Sequence, residues 1–182
     1  VRSRPDHITA QANLSELIWM RSGDVADASH DLDRALRLHP QLSQLRVAKA
    51  NLLMSAGKHE QALQLIEEGI KNKAAPSELL QLHVAAAQIA IETDATRAIH
   101  HARSALELDP DHWLALSAYG DALIAEGHAA HAIQVATKLL ESTPYNGRAI
   151  ALLASVSRMA GDAHYRDLFD YEGLVIAQPI DV

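Results

Sequence analysis

Apolar residues recur along this chain at helical spacing, and polar breaks interrupt them at regular intervals. Leu14, Leu17 and Ile18 fall three and four residues apart, which places them on one face of a helix from about Ile8 to Met20. Gly23 and Asp24 break the pattern, and Ala28, Leu32, Ala35 and Leu36 restart it on a second helix from about Val25 to Leu38. Gly23 suits the position just past a helix end, where φ is positive, and Asp24 can cap the helix that follows. Pro40 then stops that helix, since proline has no N–H to give and disfavours helix in the residue before it. Gly57, Gly127 and Gly161 repeat the Gly23 break, and Thr93-Asp94 stands in its place in the third unit.

The breaks have a period. Pro40, Pro76, Pro110 and Pro144 are 36, 34 and 34 residues apart, and Ala28, Ala62, Ala98 and Ala132 are 34, 36 and 34 apart. The one longer interval between prolines puts a two-residue insertion within 71–75. A period of this length predicts stacked helical hairpins, each too small to bury its own apolar face. The expected fold is all-α, a solenoid of nine or ten helices in units of about 9–42, 43–78, 79–112, 113–146 and a half unit 147–161. The segment 162–182 reads as a cap or a linker. Arg166 takes the alanine slot there, and Phe169, Tyr171, Leu174 and Val175 are expected to cover the open edge of the fifth unit.

Composition narrows the chemistry. The chain is 48% hydrophobic but only 4% aromatic, so the interior must be Ala, Leu, Ile and Val, with alanine allowing close helix approach. A formal charge of −7 argues against nucleic acid, which needs a basic stripe to release counterions. No cysteine is present, which excludes disulfides and thiolate chemistry and fits the cytoplasm. No apolar run is long enough to span a membrane, and no leader pattern opens the chain.

Catalytic patterns are missing: there is no glycine-rich phosphate loop, no nucleophile elbow and no H-E-x-x-H. Among eleven histidines, His100 and His101 are adjacent and point about 100° apart on a helix. His128 and His131 share a face but lack a further ligand. Asp31 with Asp33, and Glu67 with Glu68, point to different faces and read as solubilising. No enzyme, metal or cofactor is expected of this chain.

Small residues also recur inside the first helices, at Ala50, Ala86, Gly120 and Ala154, with large apolar ones at Trp19, Leu53, Ile89 and Leu123. Ala35 and Ala105 fill a second small slot, which Gly69 and Leu139 hold in the other units. Together with the alanine and proline spacing, these residues resemble the tetratricopeptide repeat (TPR) family over about Thr9 to Gly161. The resemblance implies a right-handed superhelix whose first helices line a concave groove that binds a protein or peptide. Carried over position by position, the groove residues are Asn13, Leu17, Met20 and Arg21; Gln44, Val47, Asn51 and Met54; His83 and Ala87; Ser117, Asp121 and Ile124; and Arg148, Ser155 and Arg158. Met20, Met54 and Ile124 read equally as packing between repeats. Of the basic and amide set with which many members clamp a C-terminal carboxylate, only Asn51 is matched.

Residues Gly161-Asp162, Tyr165, Leu168-Phe169-Asp170-Tyr171 and Leu174-Val175 resemble the passage after the repeats in some bacterial iron(II)/2-oxoglutarate oxygenase-like proteins. That second resemblance implies an array recruiting a substrate protein for a further domain C-terminal to this chain. No His-x-Asp triplet occurs here to supply its chemistry.

Overall fold

The structure, a computed structural model, describes residues 5–72, 75–142 and 146–160. Within them the chain forms nine α-helices and no strand: α1 Pro5–Ser22, α2 Val25–Leu38, α3 Ser43–Ser55, α4 His59–Lys71, α5 Pro76–Ala90, α6 Ala95–Leu108, α7 Trp113–Ala125, α8 Ala129–Ser142 and α9 Gly147–Ala160. Gly23, Gly57 and Gly127 adopt φ of 70°, 71° and 83°. Nothing lies within 4 Å of a Cβ built on any of the three, so the backbone conformation, and not space, selects glycine there. Asp24 caps α2, its carboxylate accepting from the N–H of Ala26 at 2.8 Å and of Asp27 at 3.3 Å. Asp94 caps α6 in the unit that lacks the glycine, accepting from Arg97 N–H at 3.0 Å. Replacing Asp24 with Ala is expected to cost about 1 kcal/mol, the usual value of a lost N-cap. A urea midpoint unchanged by that substitution would show that the cap contributes nothing.

Each helix packs on the next, and the odd-numbered helices also pack on one another in series, whereas among the described residues the even-numbered helices do not approach backbone to backbone, α4 and α6 meeting only through long side chains. The odd helices are therefore the tighter, inner layer of a curved stack and the even helices the outer layer. Between the layers runs an aliphatic strip. Ala62, Leu63 and Ile66 of α4 and Ala132, Ala136 and Leu139 of α8 have no exposure, and neither do Ala98, Ala102 and Ala105 of α6. Ala50 and Ala86 are equally closed off, and a Cβ on Gly120 would lie 2.6 Å from Leu152 Cδ1. Glycine at that slot is what lets α9 seat against α7. Ala154, the same slot in the fifth unit, is exposed, and α9 contacts only α7 and α8 among the described residues.

The structure departs from the sequence reading in two places. The first helix begins at Pro5 instead of near Ile8, and Leu14 and Leu17 are 51% and 63% exposed. The cause is packing: among the described residues only α2 and α3 pack on α1, and they cover one side of it. Pro76 starts a helix where it was expected to stop one, occupying the first turn of α5, where its missing N–H costs nothing. That helix has 15 residues against 13 in α3 and α7. Its two added residues have a use. Leu42, the N-cap of α3, makes no side-chain cap bond, and Glu78 of α5 accepts from Ser43 N–H at 3.0 Å instead. Ser43 Oγ in turn donates to Gln81 Oε1 at 3.1 Å. Pro144, Gly161 and the segment 162–182, with its Phe169, Tyr171, Leu174 and Val175, lie outside the described residues.

Candidate functional site

An octapeptide face is repeated on two neighbouring inner helices. Gln44-Leu45-Arg46-Val47-Ala48-Lys49-Ala50-Asn51 of α3 matches Gln81-Leu82-His83-Val84-Ala85-Ala86-Ala87-Gln88 of α5, 37 residues on. The alanine slots around them are only 36 apart. Gln81 follows Ala62 by 19 residues where Gln44 follows Ala28 by 16, and Gln88 precedes Ala98 by 10 where Asn51 precedes Ala62 by 11. The insertion is therefore three residues before this face, less one in the turn after it. That one-residue offset turns the face of α5 by about 100° from the one the alanine register assigns.

The two matching faces line a concave cavity of about 530 Å³. From α3 come Gln44, Val47, Ala48 and Asn51, and from α5 Gln81, Val84, Ala85 and Gln88. The cavity is closed on one side by Ile8, Thr9 and Ala12 of α1 and on the other by His112 and Leu114 at the start of α7. His112 also caps α7, its Nδ1 accepting from Ala115 N–H at 3.3 Å. No carboxylate, lysine or arginine is in this lining. The surface is an aliphatic floor between amides.

The residues expected at the groove are divided by the structure. Gln44, Val47 and Asn51 lie together in the cavity lining. Asn13, Leu17, Met20 and Arg21 are exposed on α1 but outside the lining. Met54 packs against the core of α3–α7, and Ile124 against that of α7–α9. Ala87 is fully buried. Ser117, 1% exposed, accepts from Arg148 Nε at 2.9 Å, and Arg148 Nη2 meets Asp121 Oδ2 at 2.6 Å. Burial pushes the Asp121 carboxyl above its ordinary value, although the Arg148 guanidinium pulls the other way. Arg148 thus has its counter-charge within the chain. Arg158 Nη2 donates to Ser155 Oγ at 3.0 Å, farther along the stack on α9. Ile8, Thr9, Ala12, Ala48, Gln81, Val84, Ala85, Gln88, His112 and Leu114 were not expected at the site. The signal for those on α5 was the repeated octapeptide.

His83 faces away from the cavity into a polar chain between α4, α5 and α6. Its Nδ1 lies 3.1 Å from His101 Nδ1, His101 Nε2 lies 3.3 Å from Glu67, and Glu67 also accepts from Arg97 at 2.9 Å. Arg97 reaches Glu60 as well, at 3.4 Å, and His100 lies beside His101. Against a carboxylate, His101 carries its proton on Nε2, so its Nδ1 is the acceptor and His83 donates. Burial, then the nearby imidazoles, push His83 down to about 4 from the ordinary 6.5, and burial also lowers His101. Burial alone would raise Glu67, but hydrogen bonds from Arg97 and His101 outweigh it and hold this carboxyl low. Glu67 is therefore a structural anchor and not the solubilising charge its sequence suggests. His128 and His131 meet edge to face with centroids 6.1 Å apart. No group of three or more His, Asp or Glu among the described residues could hold a metal ion.

The imidazole pair makes stability depend on pH. Both histidines have folded-state values below the unfolded one, so the unfolded chain takes up protons first on acidification. Their contribution is complete above pH 6.5 and is lost as pH falls from there towards 4. Glu67, also lowered, adds a loss below its ordinary 4.5. Because His83 is partly exposed, the expected loss is about 1–2 kcal/mol. A thermal midpoint flat from pH 8 to 7 and falling below 6.5 is expected, with the fall reduced in a His83→Gln, His101→Gln variant. An unchanged fall in that variant would place the acid sensitivity elsewhere.

The family model for the tetratricopeptide repeat matches residues 13–143. No curated protein matches the chain. Among solved structures, the first TPR domain of human RPAP3 superposes with a TM-score of 0.60 at 20% identity, covering 70% of this chain and 98% of that one. A tetratricopeptide repeat protein from Parabacteroides merdae gives 0.64 at 20%, over 91% of this chain and 65% of its own. The Hsp90 co-chaperone Cns1 from Saccharomyces cerevisiae gives 0.61 at 17%, over 72% of this chain and 43% of its own. At these identities the likenesses establish the fold. No described helix is long and apolar enough to cross a membrane.

Proposed function

Because the chain belongs to the tetratricopeptide repeat family, we propose that it is a protein-interaction module whose concave cavity holds a peptide segment of a partner. One observation carries this reading: the inner layer presents an open cavity of about 530 Å³, free of carboxylate, lysine and arginine, between two copies of the same amide-edged face. The positions of this face exposed on both helices are the amides Gln44 and Asn51 on α3 and Gln81 and Gln88 on α5, and polar groups at the rim of an apolar floor are how binding sites fix orientation. The co-chaperone among the structural neighbours is in keeping with an interaction role. The polar groups on α7 and α9 serve the stack: Asp121, Ser117 and Arg148 pair among themselves.

The test is steric. Asn51 and Gln88 are exposed, so replacing both with Trp is expected to leave helicity intact and fill the cavity. Peptides selected on the wild-type chain from a random display library should lose at least tenfold in affinity for the Asn51→Trp, Gln88→Trp variant. Gln64→Trp, on the outer helix α4, should bind as the wild type does. The reverse pattern would move the site to the outer layer.

A further inference from the structure

We infer that the segment held in the cavity is a single extended, uncharged chain gripped by its backbone; this rests on the cavity being the binding site. Gln44 and Asn51 are seven residues apart on α3, as are Gln81 and Gln88 on α5. Two helical turns separate each pair by about 10.5 Å along the axis and return it to nearly the same side. Across the two helices the amides thus form two rows, Gln44 with Gln81 and Asn51 with Gln88. The floor between the rows is Val47, Ala48, Val84 and Ala85.

The width between the rows selects the occupant. A strand keeps its hydrogen-bonding neighbours about 4.7–4.9 Å away on each side, so one extended chain fills a channel of about 10 Å with both of its edges facing amides. An α-helix, about 10–12 Å across with its own N–H and C=O groups already paired, neither fits between the rows nor needs them. A primary amide both donates and accepts, which suits a peptide backbone and no particular side-chain charge. Gln44, Asn51 and Gln88 are exposed and their side-chain amides hydrogen-bond to no other described residue, while that of Gln81 accepts from Ser43. Three of the four amides are therefore unoccupied.

Charge points the same way. The lining holds no lysine or arginine to pair a carboxylate and no carboxylate to pair a cation, so a charged residue in the occupant would lose water there without gaining a counter-charge. The floor is valine and alanine, shallow enough for small aliphatic side chains such as Ala, Val or Thr.

A random octapeptide display library panned on the full chain tests this. The enriched sequences should be free of charge, rich in small aliphatic residues and poor in proline, which lacks a backbone donor. Affinity of a synthetic enriched peptide should change less than twofold between 50 and 500 mM NaCl. It should fall about tenfold when the central amide of the peptide is N-methylated, and about tenfold again in a Gln44→Met, Gln88→Met variant, which keeps side-chain length without the amide. Enrichment of acidic or amphipathic helical peptides that Asn51→Trp, Gln88→Trp still blocks would overturn the inference and leave the cavity as the site. So would affinity indifferent to both N-methylation and the methionine variant. Failure to enrich any peptide, or enrichment of peptides that the tryptophans do not block, would overturn the site and the inference together.

Discussion

Replacing Leu152 with Ala is expected to lower stability by about 2–5 kcal/mol, the usual range for a truncated core leucine. Leu152 is 1% exposed and sits over Gly120, where a Cβ would approach its Cδ1 to 2.6 Å. Gly120→Ala gains about 1 kcal/mol of helix propensity, but it pushes a closed-in side chain that has little room to turn. Its expected net cost is about 0–2 kcal/mol, an overpacking penalty of about 1–3 less that gain. The informative quantity is the coupling. With Leu152 already cut to Ala, a methyl at residue 120 enters the space left behind, so the double variant should be less destabilised than the two singles combined, by about 0.5–3 kcal/mol. Strict additivity in urea unfolding would mean that α9 does not seat on α7 through this contact.

The alanine slot in the outer helices gives the second large effect. Ala132 and Ala98 have no exposure, each on the buried side of its helix between the outer and inner layers. Leucine at either position has to displace a neighbouring helix, at an expected cost of about 1–3 kcal/mol. Gln134→Ala, two residues along α8 and exposed, should stay within about 0.5 kcal/mol. Similar shifts at all three positions would mean that the 34-residue register is misread.

Both effects come from features legible in the sequence. The alanines at 28, 62, 98 and 132 are all buried, because a helix crossing tolerates only a small residue and the same crossing recurs in each unit. The glycine turns and the bounds of α2 were equally legible, since positive φ and N-capping each select a few residue types. The tetratricopeptide character followed from those slots together.

What the sequence reading missed was rotational. It assigned His83 and Ala87 to the groove by counting 36 from Val47 and Asn51, whereas Val84 and Gln88 line the cavity. Buried alanines at 86 and 87 fit either count, so only the octapeptide match could distinguish them. The His83–His101–Glu67 chain joins three helices across 34 residues, and no single helical wheel reveals such a contact. One hint was available: His101 stands three residues after its alanine slot, where α8 has the buried Val135. The sequence likewise does not show that Arg148, carried over as a groove residue, pairs with Asp121, 27 residues away on another inner helix.

The claim that the inner cavity is the binding surface is tested most directly by site-specific photocrosslinking. With p-benzoylphenylalanine placed at residue 88 in α5 or residue 64 in α4, each variant is irradiated with a peptide selected on the wild-type chain. Capture from residue 88 and none from residue 64 is the expected result. Capture from residue 64 with none from residue 88 would put the peptide on the outer helices and contradict the groove.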